Sequence, residues 1–348
     1  MPVTIKDIAR KAGVSHATVS RSLNGNPDIS DRTAAVIRDL ATEMGYVPSA
    51  AARGLKTNRS HVLGVIVSRI DNPYFGEIVQ GIEDTLKNTG YSIFVSSTNF
   101  DQNREKDVIQ AFSEHRVDGI ILGSVSFKQK HAALLTSYNI PVVVINNQSR
   151  QSFRYSVAHD DEYGARQIMR HLLELGHRNI WYLGNAHSRR INNDRCRGFT
   201  QELEAAGVPD PQAHVLNMDG SEIQDGSRGM GLLLQHDPLP TAVFCFNDLM
   251  AIGALKTLQE KGLQVPADIS IAGFDDIAYS AYTTPALTTF HQPKFEIGAE
   301  AAGLLLELML NKDAGNGHDI AFARKIRGQL LVRESTAQLS SGSEVSNA

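Results

Sequence analysis

Cysteine is nearly absent from this 348-residue chain: Cys196 and Cys245 are the two present, and neither stands at CxxC or Cys/His spacing. That excludes a disulfide framework and a structural zinc site, and it suits a reducing compartment. No apolar run reaches the roughly 20 residues that a bilayer-spanning helix needs. Charged side chains interrupt the N-terminus from Lys6 onward, so a signal pattern is missing and a cytoplasmic location is expected. The signatures of chemistry are missing too. There is no GxSxG, no Walker A loop and no HExxH, and GSRGMG at residues 226–231 has the wrong spacing for a dinucleotide fingerprint. The twelve histidines are scattered without a second metal ligand at a useful interval; His159 beside Asp160 and Asp161 comes nearest, and a strand-end turn explains it better. No enzyme activity, metal or cofactor is expected.

What is present is unevenly distributed. Hydrophobic residues make up 42% of the chain, enough for buried cores, and the length exceeds one usual domain. Residues 1–60 carry nine Lys and Arg against five Asp and Glu, a charge of +4; the whole chain is −4, so residues 61–348 carry −8. Positive charge is concentrated at the front, as a surface meeting phosphate requires, while the acidic remainder would be repelled from nucleic acid.

That front segment has the pattern of a helix-turn-helix. Thr4 can cap a helix and Asp7 can answer it in a capping box, with Ile5, Ile8, Ala9 and Ala12 on one face. Gly13 can take the positive φ that ends the helix, and Ser15 can cap a second one from His16 to Leu23. Val14, Val19 and Leu23 face inward, leaving His16, Ala17, Ser20 and Arg21 outside. Short or polar side chains followed by a cation are what a recognition helix needs in a major groove, so Thr4, Ser15, His16, Ala17, Thr18, Ser20 and Arg21 are candidate DNA-binding residues. A helical hairpin in an ordinary core is the bland alternative, and the charge balance opposes it. A third helix is capped by Ser30, buries Ala34, Ile37, Leu40, Ala41 and Met44, and stops at Gly45. Residues 49–60, SAAARGLKTNRS, are too short to be a stable helix alone. They are either a plain linker or a hinge that orders on DNA, with Leu55 wedging into a minor-groove step and Arg53 and Lys56 meeting the backbone.

From residue 61 the pattern alternates between strand and helix. β-Branched runs at 62–68, 91–97, 119–124 and 142–146 form one series, and 179–184, 214–218, 242–247 and 269–274 a second. Amphipathic stretches such as Phe75 to Leu86 and Asp107 to Glu114 lie between them, so parallel βαβ units in two lobes are predicted. Ligands of such sheets sit beyond the carboxyl ends of the strands. The polar residues there are Ser68, Asp71, Ser124, Asn146, Asn247, Asp248, Asp275 and Asp276. Each can instead cap a following helix; their convergence points to a polar ligand, and Asp275, with no obvious helix to cap, is the strongest candidate.

The strings TIKDIARKAGVSHATVSR, GYVPSAAARGLKT, DNPYFGEIVQGIED, RVDGIIL, LGHRNIWYLG, PTAVFCFNDLMAIGAL, VPADISIAGFDD and TPALTTFHQP occur in this order to about residue 335. Together they resemble the LacI/GalR family of bacterial transcriptional regulators. The resemblance implies an all-α helix-turn-helix headpiece (1–48), a hinge (49–60), and an α/β two-lobed domain of parallel sheets like that of periplasmic sugar-binding proteins (61–336). The first lobe would take about 61–160 and 292–322, the second about 161–291 and 323–336, with helix Phe295 to Leu310 and strand Arg324 to Leu331 after the crossing back. A polar tail, 337–348, is expected to be disordered.

The resemblance also implies that Arg195, four residues before Phe199, contacts the ligand, that Arg189 lies where some members place a second arginine, and that Tyr74 and Phe75 form an aromatic wall; Phe75 suits a core as well. The expected protein is therefore a repressor, homodimeric on a palindromic double-stranded operator, nucleoid-associated in a bacterial cytoplasm, with no membrane partner. Its effector would be a sugar, sugar acid or sugar phosphate acting as inducer or corepressor. The extra arginines, Arg189, Arg190 and Arg197, hint at an acidic effector, with surface solvation the competing explanation. The alternatives are a phosphorylated protein corepressor meeting EIVQGIED, or a solute-binding protein, which the basic front segment and the missing signal oppose.

Overall fold

The computed structural model describes residues 3–47, 59–123, 129–146, 153–313 and 322–339. The proposed hinge positions Arg53, Leu55 and Lys56, Ser124, and all of the tail beyond Leu339 lie outside them, as does the side chain of Arg189. The chain divides into two compact units, Met1–Ser60 and His61–Ala348.

Among its described residues the first unit has three helices: α1 (Ile5–Ala12), α2 (His16–Leu23) and α3 (Asp31–Glu43). Each starts and stops as its local chemistry predicts. Thr4 and Asp7 form the reciprocal capping box of α1, and Gly13 follows it at φ 65°. The Ser15 hydroxyl accepts from Thr18 N at 3.1 Å and that of Ser30 from Thr33 N at 3.3 Å. Ile8, Ala9, Val19, Ile37 and Ala41 are the buried centre of the bundle.

The second unit holds two six-stranded sheets. In the first lobe the elements are β1 (Val62–Val67), α4 (Pro73–Leu86), β2 (Ser92–Ser97), α5 (Gln102–Glu114), β3 (Gly119–Gly123), α6 (Gln129–Ser137), β4 (Val142–Ile145) and β5 (Tyr155–His159). In the second they are α7 (Asp161–Glu174), β6 (Ile180–Asn185), α8 (Arg189–Ala205), β7 (Val215–Met218), α9 (Ile223–Leu233), β8 (Ala242–Cys245), α10 (Asp248–Glu260), β9 (Ser270–Asp275) and β10 (Thr288–His291). The chain then returns through α11 (Lys294–Asp313) and β11 (Phe322–Ile326) and ends in β12 (Gln329–Leu331). Strand orders are β11-β5-β4-β3-β1-β2 and β12-β10-β9-β8-β6-β7. All pairings are parallel except that of β12 with β10. Buried runs such as Leu63, Val65 and Val67 against α4 and α11, and Ile66, Ile120 and Leu122 on the opposite face, give the first sheet a core on each side.

Two differences from the sequence reading are informative. Strands β5 and β10 were not anticipated. The run expected from Arg324 to Leu331 is two strands: β11 belongs to the first sheet and β12 to the second, so the last crossing falls between Ile326 and Gln329. Gly328 makes that break possible, because a Cβ there would stand 1.7 Å from the carbonyl oxygen of His291. The lobes are therefore joined by three segments, at 159–161, 291–294 and 326–329.

Candidate functional site

A cleft lies where the strand ends of the two lobes face each other. Asn72 caps α4 by accepting from Tyr74 N at 3.0 Å, and Pro73 starts the helix, so Tyr74 and Phe75 are delivered to the cleft on its first turn. Phe75 meets Tyr74 edge-on, with ring centroids 5.2 Å apart, and its ring fits over Gly123, where a Cβ would come within 3.2 Å of it.

A hydrogen-bonded chain crosses the cleft from lobe to lobe. Asn146, just past β4, donates through Nδ2 to the Tyr74 hydroxyl at 2.7 Å, and that hydroxyl donates to Gln292 Oε1 at 3.2 Å. Gln292 Nε2 then donates to Asp275 Oδ1 at 2.5 Å. Burial pushes the Asp275 carboxyl up to about 6, although Arg195 and Lys294 pull it down. Burial also raises Tyr74, which keeps it a neutral donor.

Arg195 is on α8 and almost wholly buried. Its Nε and Nη2 each lie 2.9 Å from Asp161 Oδ1, Nη1 donates to the Phe246 carbonyl, and Nη2 is 3.7 Å from Asp275 Oδ1. The guanidinium stacks 3.7 Å from the centre of the Phe274 ring and 4.6 Å from that of Phe246. Burial alone would make Arg195 less basic; Asp161 and Asp275 reverse this and leave its pKa raised. In the same way Asp161, which burial would raise, is held below the usual carboxylate range by Arg195. Most of the charge of this arginine is thus already satisfied by the protein.

Of the residues proposed from sequence, the cleft brings together Ser68, Tyr74, Phe75, Asn146, Arg195, Asn247 and Asp275. Asn247 takes the capping role, its Oδ1 accepting from Met250 N at 2.9 Å at the start of α10, while its Nδ2 donates to the Ser221 carbonyl at 3.0 Å. Three residues stand elsewhere, and one of them, Asp276, follows β9 and pairs with His291 and Arg333. Asp71 is mostly exposed and paired with Arg69. Asp248 opens α10 beneath the cleft, where it accepts from Ile277 N at 2.8 Å and the Thr289 hydroxyl at 2.5 Å; burial raises it well above the usual carboxylate range, and it does not line the cleft. Eight lining residues were missing from the candidate set: Asn72, Phe100, Gly123, Ser188, Ile191, Ser221, Phe246 and Gln292. Asn72 and Gln292 stand beside prolines in DNP and HQP and were the findable ones. Phe100, in a loop at φ 60°, carried no signal.

On the first unit, His16, Ala17 and Arg21 are exposed along α2, and Thr18 and Ser20 are half-buried. The hydroxyls of Ser15 and Thr18 are 2.9 Å apart at its N-terminus, and Thr4 holds the start of α1. A short two-helix unit presenting a polar N-terminal end followed by a cation has the shape of a major-groove reader.

Comparison with known proteins agrees with both halves. Residues 4–49 match the family described as "Bacterial regulatory proteins, lacI family" and residues 169–336 the "Periplasmic binding protein-like domain". The chain is 36% identical over 338 residues to the HTH-type transcriptional repressor PurR of Haemophilus influenzae (strain PittEE), covering 97% of this chain and 99% of that one. A lac repressor dimer bound to operator and the anti-inducer ONPF superposes with a TM-score of 0.84 at 27% identity, covering 97% and 100%. A LacI family regulator of Enterococcus faecium with bound ribose gives 0.71 at 27%, covering 80% and 99%. No helix among the described residues is long and apolar enough to cross a membrane. A headpiece of capped helices carrying Arg21, followed by a two-lobed domain with a polar cleft, matched end to end by such relatives, places this chain in the LacI family of bacterial regulators, as a non-enzymatic DNA-binding transcriptional repressor of the LacI/PurR type.

Proposed function

We propose that the repressor is controlled by a small, neutral, polyhydroxylated ring, a sugar, held between the two lobes. The observation that carries this is the composition of the cleft. Among the described residues its polar lining is amide and hydroxyl, from Ser68, Asn72, Asn146, Ser188, Ser221, Asn247 and Gln292, with a single carboxylate at Asp275. The cation among its described side chains, Arg195, is already bound to Asp161, Asp275 and the Phe246 carbonyl. A sugar acid or sugar phosphate would arrive in a site with no uncommitted positive charge among these residues, whereas vicinal hydroxyls suit a carboxylate and several amides. Phe75 and Phe246 supply apolar faces against which a ring can pack. The bound ribose of the Enterococcus faecium relative is in keeping with this class.

The remaining steps follow from a helix-turn-helix that covers one half-site. The working form is a homodimer on a palindromic operator in a bacterial cytoplasm, with Thr4, Ser15, His16, Ala17, Thr18, Ser20 and Arg21 at the DNA and Arg53, Leu55 and Lys56 in a hinge that orders on it. Effector closure of the lobes changes the separation of the two hinges, a linkage usually worth about 1–3 kcal/mol.

The test is a thermal-shift screen of the purified chain with neutral sugars, sugar acids, sugar phosphates, nucleobases and a phosphorylated protein, followed by calorimetry. A true effector raises the melting temperature by mass action. Stabilisation by a neutral sugar is the expected result; stabilisation by a phosphorylated or nucleobase compound alone overturns the sugar assignment. Sequencing of genomic fragments retained by the chain at rising salt checks the operator arm.

A further inference from the structure

Lys294 opens α11 and is wholly buried. A lysine ammonium in such a place must find acceptors for its three donors. Nζ lies 2.7 Å from the carbonyl oxygen of Asp275, 2.8 Å from that of Asp276 and 3.5 Å from that of Gln292, and Glu77 Oε1 on α4 is 3.3 Å away. These partners belong to different lobes. The body of α11 is rooted in the first lobe, where Ala301, Ala302 and Leu305 pack in the same core as Ile78 and Ile82 of α4. Asp275 ends β9 of the second and Asp276 follows it.

The turn that Lys294 holds is strained. Asp275 and Asp276 have φ of 111° and 54° in succession, a conformation that non-glycine residues keep only when their surroundings impose it. Two successive carbonyls aimed at one ammonium are such an imposition. The Asp275 carboxyl on the far side of that turn is the acid of the cleft, and Gln292, whose amide donates to it, is the residue whose carbonyl also faces Lys294.

We propose that Lys294 is a positioning residue for the effector: from the first lobe its ammonium clamps both carbonyls of the Asp275–Asp276 turn of the second, setting where the Asp275 carboxyl points and tying that turn to α4 through Glu77. Occupancy at Asp275 is thereby felt by a helix of the opposite lobe. This rests on the reading of Asp275 as an effector contact.

The test uses the full chain labelled with 15N-lysine and 13C-aspartate. In the native protein the Lys294 ammonium protons should exchange at least about a hundredfold more slowly than those of surface lysines, as buried hydrogen-bonded groups do; surface-like exchange overturns the clamp. In Lys294→Met the Asp275 and Asp276 Cα shifts should leave their left-handed values, and Lys294→Arg should restore them in part. Affinity is read with D-ribose, D-glucose, D-galactose and cellobiose. Any of these that the native chain binds should bind Lys294→Met at least about tenfold more weakly, the scale of losing a positioned polar contact, with recovery in Lys294→Arg. Unchanged shifts and affinity alongside a lowered melting temperature would show a merely structural lysine. Should Lys294→Met fail to fold, Glu77→Gln, at the exposed end of the contact, is expected to speed ammonium exchange while leaving the fold intact; no change overturns the tie to α4. If none of the four sugars binds, the sugar assignment fails and the exchange and shift data still decide the clamp.

Discussion

Arg69 Nε lies 3.6 Å from Glu222 Oε1, so a cation that follows β1 and an acid that precedes α9 face each other from opposite lobes. Their chain neighbours, Ser68 and Ser221, both line the cleft, which puts the pair at its mouth. Each side chain is about one-third exposed, and pairs of this kind are worth at most about 1 kcal/mol. Arg69→Met should therefore speed release of a bound sugar by no more than about fivefold, and 1 M salt should abolish the difference between variant and native chain. Stopped-flow release measured at two ionic strengths checks this, and a salt-independent rate change would assign the effect to something other than the ion pair.

Effector affinity should depend on pH through Asp275. Its carboxyl titrates near 6 in the fold, against an ordinary value near 3.8. Between those values the native state holds a proton that the unfolded chain has lost, so this group's contribution makes stability fall as pH rises from about 4 to 6 and level off above. Asp276 acts in the opposite sense in a lower window. Burial would raise it, but hydrogen bonds from His291 and Arg333 hold it well below the usual range, so its contribution is present at neutral pH and is lost as pH falls below about 4. If hydroxyls bind the ionised Asp275, affinity should rise roughly tenfold from pH 5 to 7, the fraction ionised for a pKa near 6. Asp275→Asn should bind more weakly and lose the dependence. Calorimetry across that range is the check; a native affinity flat with pH removes Asp275 from contact with the ligand.

Arg195 has a structural duty as well as a place in the cleft, and the two can be separated. Replacing it by Met leaves Asp161 buried without its cation, a loss that typically costs about 3–5 kcal/mol. The double variant Asp161→Asn, Arg195→Met removes the stranded charge and should recover at least about 2 kcal/mol in urea unfolding. Effector affinity, by contrast, should stay low in both. If the double variant regained binding along with stability, the contribution of Arg195 would be to the fold alone.

How much of this was readable from the chain depended on whether local chemistry or distant contacts set a residue's position. The headpiece helices were legible to the residue because Thr4, Ser15, Ser30 and Gly13 are local stops and starts. Strands β5 and β10 were not. Their Ser156, His159, Thr288 and Thr289 are polar yet buried, a pattern permitted only by partners brought from far along the chain, such as Thr336 on Thr288 and Asp248 on Thr289. The same logic divides the cleft. Asn146 and Asp275 were visible as polar residues ending strands, and Asp248 looked equivalent to them. Only the start of α10 immediately after Asn247 turns Asp248 downward into the second lobe. Gln292 is brought in by the lobe crossing at 291–294, with the HQP proline its local mark, and Ser221 by the loop between β7 and α9.

Of the glycines of GSRGMG, Gly226 and Gly229 have a packing role. A Cβ at Gly226 would stand 2.0 Å from the carbonyl oxygen of Met250, and one at Gly253 2.0 Å from that of Ile223, so α9 and α10 touch backbone to backbone at a reciprocal pair. Gly226→Ala must part the helices, and overpacking of this kind costs about 1–3 kcal/mol even though alanine is the better helix former. Urea denaturation should show the loss, while operator affinity at saturating folded protein stays unchanged. A stabilised variant would mean that the two helices slide apart freely.

Arg21 is exposed in the last turn of α2, six residues beyond the N-cap Ser15, with His16 and Ala17 exposed ahead of it. If it forks onto a guanine edge, Arg21→Met should cost about 1–3 kcal/mol on the preferred site and little on sites changed at that base pair, so that discrimination there collapses. If it meets only phosphate, the loss should be uniform across sequences and the salt slope should fall by about one unit for the one contact removed. Selection from a randomised duplex pool, repeated with native and variant chains at two salt concentrations, separates the outcomes. Base readout predicts a preference lost at a single symmetric pair of positions, one for each headpiece of a dimer; retention of the full native preference would remove Arg21 from the groove.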